Sequence, residues 1–390
     1  MKHLVVQFDT ELDWQSLPSL AQTVIEQAVA IQQIPAPTFQ EAQRAKYVAA
    51  EFRALALHQV ETDAVHNVYG LLPGKNQAVP GLMISAHTDT VFAPDANLQI
   101  RTDSNLIHGP GLGDNSIGVA GILGLAQFLQ QQQLTPACDL WFVATSREEG
   151  MGDLGGMKAA FARLKDRVQA VINVEGMALG HVYCAGTAVR RLHITASAQG
   201  GHSWLNFGRP SAIHGLLELG ARITSIRPVQ APRTTYNIGV IEGGQSINTI
   251  ASQAGLWLDL RSEDPAQLAL LEQEVRAYVA VAEQSDLHFQ VELVGDRPSG
   301  FIVPEHPLVQ GALAALEQLG LRGLLENGST DANVPLAVGC PAVTVGITRG
   351  SNAHRLDEYI ETPPVSLGLR HLIILTLAAA SYHHKNQGHA

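Results

Sequence analysis

The sequence predicts an α/β fold: a doubly wound catalytic domain on a mixed, largely parallel sheet, with a smaller α+β domain inserted into it. Three observations predict this. Residues 82–86, 139–145 and 170–174 are short runs apolar on both faces, as suits central strands of a sheet covered on both sides. Each run ends in a polar residue capable of chemistry and gives way to a helical pattern, the rhythm of a sheet whose ligands gather at the carboxyl ends of its strands. From about Thr187 to residue 297 the texture changes to alternating strands with two helices, and the first pattern returns near Phe301.

Residues 16–33 read as an amphipathic helix with Leu20, Val24, Ala28 and Ile31 on one stripe. Pro35 and Pro37 break it, because proline supplies no N–H to a helix and clashes with the preceding turn. A helical pattern resumes over 39–57, and 60–72 alternates like a pair of hairpin strands ending at Pro73-Gly74. After the strand 82–86 come a helix over 116–131 with Ser116 near its start, the strand 139–145, a helix over 157–164 and the strand 170–174. The insertion, 187–297, carries strands at 189–198, 236–242, 255–260 and 287–294 and helices at 211–223 and 265–283. Then follow a helix over 309–319, a glycine-rich stretch at 327–333, a strand at 342–347, His354 and a last helix over 366–381. The catalytic domain is therefore expected to be split into 1–186 and 298–390. The tail H-H-K-N-Q-G-H-A reads as a frayed end, with weak metal binding by its histidines as the lesser alternative.

Composition narrows the function. The 390 residues are 46% hydrophobic and 16% charged, ordinary for a globular chain with room for two domains. A net charge of −11 argues against nucleic-acid and anionic-membrane partners, since no basic excess offsets phosphate. Cys138, Cys184 and Cys340 are odd in number and widely spaced, which suggests small buried side chains in a reducing compartment. The N-terminus lacks the long apolar region of a secretory signal, and no uninterrupted apolar run approaches the ~18 to 20 residues of a membrane span. The expectation is a soluble, cytoplasmic protein.

The polar residues at predicted strand ends are His87, Asp89, Asp114, Glu148, Glu149, Glu175 and His354. Each alone is as readily structural or exposed, but charged residues at five successive loops on one sheet edge are not explained that way. Imidazoles with several carboxylates suit a pair of Zn2+-like ions held by N and O donors. The sequence has no CxxC for a thiolate site and no HExxH, and the turn around Gly111 is no GxGxxG. Asp89 lies two residues after His87, so on an extended strand both point to one face and Asp89 can accept the ring N–H. Adjacent Glu148 and Glu149 diverge in an extended backbone, so one can ligate while the other faces a reacting water.

The motifs H-T-D-T, G-x-G-D-N, S-R-E-E-G, N-V-E-G, the inserted G-G-H and N-A-H-R-L-D-E occur in an order that resembles one family over about residues 16–383. This is the dinuclear zinc peptidase family, which includes peptidase T, carboxypeptidase G, aminoacylase, acetylornithine deacetylase and succinyl-diaminopimelate desuccinylase. The resemblance implies two divalent ions, Zn2+ first and Co2+ or Mn2+ as alternatives. It makes Asp114 the bridge, with His87 and Glu175 completing one ion and Glu149 and His354 the other. Glu148 becomes the general base, taking a proton from the attacking water and passing it to the leaving nitrogen.

His202 matches a histidine that steadies the tetrahedral oxyanion, against the plainer reading of a strand-end histidine. Asn248 and Arg261 match substrate contacts, although Arg261 would equally suit an ion pair with Glu263 or Asp264. Gly328 and Ser329 match a substrate-pocket loop, or cap the segment after it. The insertion would be a lid and a homodimerisation surface. The implied reaction is hydrolysis of a small peptide or N-acyl amino acid, by an aminopeptidase or tripeptidase first. An N-acyl-amino-acid deacylase or carboxypeptidase is the alternative, which Glu175 and Arg261 would suit. A silent peptide-binding protein is the reading from another class, and its signature, a lost ligand or base, is missing.

Overall fold

The computed structural model describes the backbone of residues 1–387 and the side chains of residues 1–382. The tail histidines His383, His384 and His389 lie outside those described side chains. The chain divides into two compact units, Met1–Gly186 with Gly300–Ala390, and Thr187–Ser299.

The first unit is built on one mixed sheet. In spatial order its strands are His58–Thr62, Val68–Leu72, Leu140–Thr145, Gly81–His87, Val168–Val174, Ala342–Val345, His181–Gly186 and Gly300–Phe301, with Leu324–Gly328 also paired to His181–Gly186. The centre, from Leu140–Thr145 through Gly81–His87 and Val168–Val174 to Ala342–Val345, is parallel; the first two strands pair antiparallel. Every residue of Gly81–His87 and Leu140–Thr145 is buried, so these strands have no face to give to water. Alternate side chains enter opposite cores. Leu82, Ile84, Phe142 and Ile172 pack with Ile122, Phe128 and Leu369 of the helices Ile117–Gln131 and Val365–Gln387. Met83, Trp141, Val143 and Val171 pack on the other side with Met157 and Phe161 of Gly155–Leu164. Four parallel strands thus lie side by side, with helices on both faces.

The strands His181–Gly186, Gly300–Phe301 and Leu324–Gly328 and the helix Asn333–Ala337 were not expected, and two further features were not either. Lys2–Glu11 is a helix whose Leu4 and Val5 pack against Ala314, Ala315, Ile374 and Ala378. A small antiparallel sheet joins Arg101–Asp103, Leu106–His108, Tyr359–Glu361 and Gly350–Ser351. Strands of two or three residues carry too little periodicity to be read from sequence. Two helical stretches, Leu112–Gln131 and Val365–Tyr382, have the length and apolarity of a membrane span, with 89% and 72% of the apolar window buried inside the fold. That burial is what core helices show, and polar residues such as Asp114, Asn115 and Gln127 in the first and Arg370, His371 and Thr376 in the second interrupt each apolar run, in keeping with the sequence reading.

The second unit is a four-stranded antiparallel sheet in the order Thr234–Gly243, Gln253–Ser262, Ala188–Ala198, Leu287–Arg297. Helices Ala212–Ile223 and Pro265–Ala282 supply Leu216, Leu219, Leu271 and Val275 to a core shared with Leu192, Ile194, Leu256 and Leu258. Asp264 starts the second helix by accepting the Ala266 N–H at 2.8 Å, with Pro265 at its first position.

Candidate metal centre

The parallel strands set four of the candidate residues at one edge. His87 is the last residue of its strand and sits beside Thr145 in register. Glu148 and Glu149 follow in the loop after Thr145, and Glu175 follows Val174, its N–H donating to the Val345 carbonyl at 2.9 Å. Asp114 comes on the glycine-rich turn. Gly111 there has φ +72°, and a Cβ would stand 2.8 Å from Thr90 Cγ2, so a larger residue would meet both strain and a clash. Asn115 pins the turn to the sheet: its amide donates to the Val174 carbonyl at 2.8 Å and accepts the Gly176 N–H at 2.8 Å.

These side chains converge. His87 Nε2 lies 3.0 Å from Asp114 Oδ1 and 3.5 Å from Glu175 Oε2. His354 Nε2 lies 3.1 Å from Asp114 Oδ2 and 3.1 Å from Glu149 Oε1. Two donor groups therefore share Asp114, one oxygen facing each histidine: His87, Asp114 and Glu175, and Asp114, Glu149 and His354, each with its donor atoms within 4.8 Å of one another. Glu148 belongs to a third group of the same span, with His87 and Glu149. His354 adopts φ +66°, a left-handed conformation that costs a non-glycine residue ~1 kcal/mol or more and is retained where surroundings hold it.

Asp89 touches the centre indirectly. His87 Nδ1 is 3.1 Å from the Asp89 carbonyl and 3.5 Å from its carboxylate. The carboxylate instead accepts the N–H groups of Glu148 and Glu149, both at 2.9 Å, and the Thr38 hydroxyl at 2.8 Å. One buried anion thereby fixes the backbone that aims both glutamates.

The electrostatics mark a strongly negative point. Burial would lower the pKa of His87, but the charge of Glu175 and hydrogen bonds to Asp114, Asp89 and Glu175 carry it well above the ordinary imidazole value. Hydrogen bonds to Asp114 and Glu149 lift His354 to about 10. Burial raises Asp114, yet the two histidines hold it well below the usual carboxylate range; burial raises Glu175. Carboxylates this close repel unless a cation stands between them. The donors are all N or O, which suits Zn2+, Co2+ or Mn2+, and Cys138, Cys184 and Cys340 are free thiols outside these groups. The residues present fit a divalent-cation pair.

The remaining candidates are placed as follows. Gly328 ends the Leu324–Gly328 strand, and Ser329 is half-buried beside it. The turn beyond is closed by the Thr330 N–H donating to Asn333 Oδ1 at 3.1 Å. His202, Asn248 and Arg261 belong to the Thr187–Ser299 unit. There His202 pairs with Thr249, and the Ser203 N–H donates to the Asn248 carbonyl at 3.0 Å. Arg261 pairs with Asp259 at 2.6 Å, two residues back on the same strand face. Of the two acids the sequence offered as its partners, Glu263 accepts the Arg233 N–H and Asp264 caps a helix.

Sequence reasoning passed over two buried acids. Glu358 accepts backbone N–H groups from the Asp114 turn, and burial lifts its pKa to about 7. Asp331, also lifted by burial to about 7, accepts the Thr145 hydroxyl at 2.6 Å. Glu358 closes the motif N-A-H-R-L-D-E and Asp331 follows two residues after Ser329, so the signal was present, but nothing in a linear motif says which acid turns inward.

A parallel sheet whose strand ends bring imidazoles and carboxylates onto a shared aspartate is the layout of a metal-dependent hydrolase. Residues 83–377 match Peptidase family M20/M25/M40. An acetylornithine deacetylase of Edwardsiella ictaluri is 27% identical over 315 residues, covering 76% of this chain and 79% of its own. A succinyl-diaminopimelate desuccinylase of Methylobacterium sp. is 25% identical over 325 residues, covering 77% and 80%. A solved tripeptidase of Staphylococcus aureus superposes with a TM-score of 0.77 at 22% identity, covering 93% of this chain and 99% of its own, a likeness of fold. The chain belongs to peptidase family M20/M25/M40 and is a hydrolytic enzyme of the metallopeptidase and amidohydrolase class.

Proposed function

We propose that this enzyme hydrolyses the amide bond of a small peptide or N-acyl amino acid with two divalent ions, zinc first and cobalt or manganese as alternatives. His87, Asp114 and Glu175 would hold one ion, and Asp114, Glu149 and His354 the other. The observation that carries this reading is the sharing of Asp114 between two donor groups. Bound there, such ions would polarise the scissile carbonyl and make water a better nucleophile at neutral pH.

The chain's own residues do the rest. Glu148, buried and directed by the hold of Asp89 on its N–H, takes the proton of the attacking water and returns it to the leaving nitrogen. His202 donates to the developing oxyanion, and Asn248, Arg261, Gly328 and Ser329 contact substrate; the family resemblance supports these roles. The Thr187–Ser299 unit serves as lid and homodimer surface on the same ground. The net charge of −11 supports a reading with no nucleic-acid or anionic-membrane partner, and the free thiols Cys138, Cys184 and Cys340 support a reducing, cytoplasmic compartment.

Within the class, an aminopeptidase or tripeptidase acting on a free amine is the first reading. A deacylase acting on an N-acyl amino acid is the second, favoured by the names of the sequence relatives at 27% and 25% identity. Steady-state rates on free-amine di- and tripeptides and on N-acetyl and N-succinyl amino acids, with metal content measured in parallel, test both. Turnover confined to N-acyl substrates sinks the peptidase reading. A metal-loaded protein that cleaves nothing in the panel sinks both.

A further inference from the structure

We propose that Glu358 is a positioning residue that sets one half of the metal centre, the Asp114–Glu149–His354 group, more strongly than the other. The proposal rests on the two-ion reading above. Glu358 is 0% exposed. Its Oε1 accepts the N–H groups of Gly113 at 2.6 Å and Asp114 at 3.0 Å, and its Oε2 accepts that of Gly111 at 3.1 Å. Its carbonyl also accepts the Gly109 N–H at 2.8 Å. Backbone N–H groups converging on one carboxylate form an anion nest, here filled by a side chain of the protein itself.

The clamp joins two distant stretches of chain. One is the turn that delivers Asp114. The other is the tight segment carrying His354, closed by the Arg355 N–H to the Asn352 carbonyl at 3.1 Å and the Glu358 N–H to the Arg355 carbonyl at 3.1 Å. The antiparallel pairing of Tyr359–Glu361 with Leu106–His108 continues the same junction. The Asp114–Glu149–His354 group thus draws two of its donors from segments that Glu358 ties together. The His87–Asp114–Glu175 group draws only Asp114 from them, because His87 ends one strand of the buried sheet and Glu175 directly follows the adjacent parallel one. His354 is also open to solvent, at 53% side-chain exposure against 2% for His87, so little else packs it in place.

The test is titration of Zn2+ and Mn2+ into chelator-stripped protein by calorimetry, with metal content after dialysis, circular dichroism and thermal unfolding as companions. Glu358→Gln keeps the shape but turns an amide NH2 toward a backbone N–H. Glu358→Asp keeps the charge but withdraws it by one methylene. The expected result is two equivalents in the wild type. In both variants one equivalent binds as in the wild type and the other weakens about 10- to 100-fold, with turnover restored by excess metal. Wild-type binding of both equivalents in the variants overturns the proposal, as does equal weakening of the two. So does loss of the folded state in both variants, which would make Glu358 a general folding residue. A wild-type chain that takes up no metal defeats the two-ion reading itself, a result distinct from the others.

Discussion

At the scale of the residue, the centre depends on which atom of each acid is used. Asp89 illustrates it: its carbonyl is nearer the His87 ring than its carboxylate, which is committed to the backbone of Glu148 and Glu149. That commitment fixes the backbone of both glutamates; Glu149 meets His354, and proton transfer is the role proposed for Glu148. Glu148→Gln should therefore keep its metal and lose turnover by about 10²- to 10⁴-fold, the usual contribution of a general base. Parallel kcat and metal analysis check this, and near-normal turnover in a metal-loaded variant would remove Glu148 from the role. His87, Asp89, Glu148, Glu149 and Glu175 were legible because each follows an apolar run that can only be a buried strand. Glu358 was not. Its partners are backbone N–H groups hundreds of residues away, and a sequence does not show which N–H groups lack a carbonyl.

At the scale of the element, burial decides how a helix responds to pH. His371 on the Val365–Gln387 helix is 1% exposed, donates from Nε2 to the Ala312 carbonyl at 3.0 Å, and has its pKa lowered by burial to about 4. The folded state keeps this ring neutral while the unfolded chain protonates it near 6.5. Its contribution is fully present above about 6.5 and is lost as pH falls toward 4, with an upper bound of about 3 kcal/mol at ~1.4 kcal/mol per pKa unit. Urea unfolding of wild type and His371→Gln at pH 7.5 and 4.5 should show a smaller acid loss in the variant. Equal losses would place the acid sensitivity elsewhere. Long helices with apolar stripes were visible in the sequence through their period. The short strands Leu106–His108 and Tyr359–Glu361 were not, since three residues define no period and only pairing across the chain makes them strands.

At the scale of the whole molecule, the candidate metal centre draws its donor groups from early, middle and late stretches of the first unit. Ions that bind only the folded chain stabilise it by mass action, about 2.7 kcal/mol at a free concentration 100-fold above Kd. Scanning calorimetry should accordingly show a chelator lowering the Tm and re-added Zn2+ restoring it. A Tm indifferent to both would mean that the convergent carboxylates hold no ion in the native state.

The sequence by itself determined the class of fold, because runs apolar on both faces admit only a covered sheet, and the order of motifs along the chain marked the family. It also picked out the acids and histidines proposed for the centre, since charge placed directly after a buried strand is costly without a use for it. Only the tertiary structure decided that one oxygen of Asp114 faces His87 and the other His354, that Asp89 grips backbone, and that Glu358 clamps the Asp114 turn. Those outcomes depend on distances between segments far apart in the chain, and such distances exist only once the sheet has closed and its cores have packed. The stretch from Gly81 to Asp114 offers the parts of a metal site; the folded unit sets which atoms face one another.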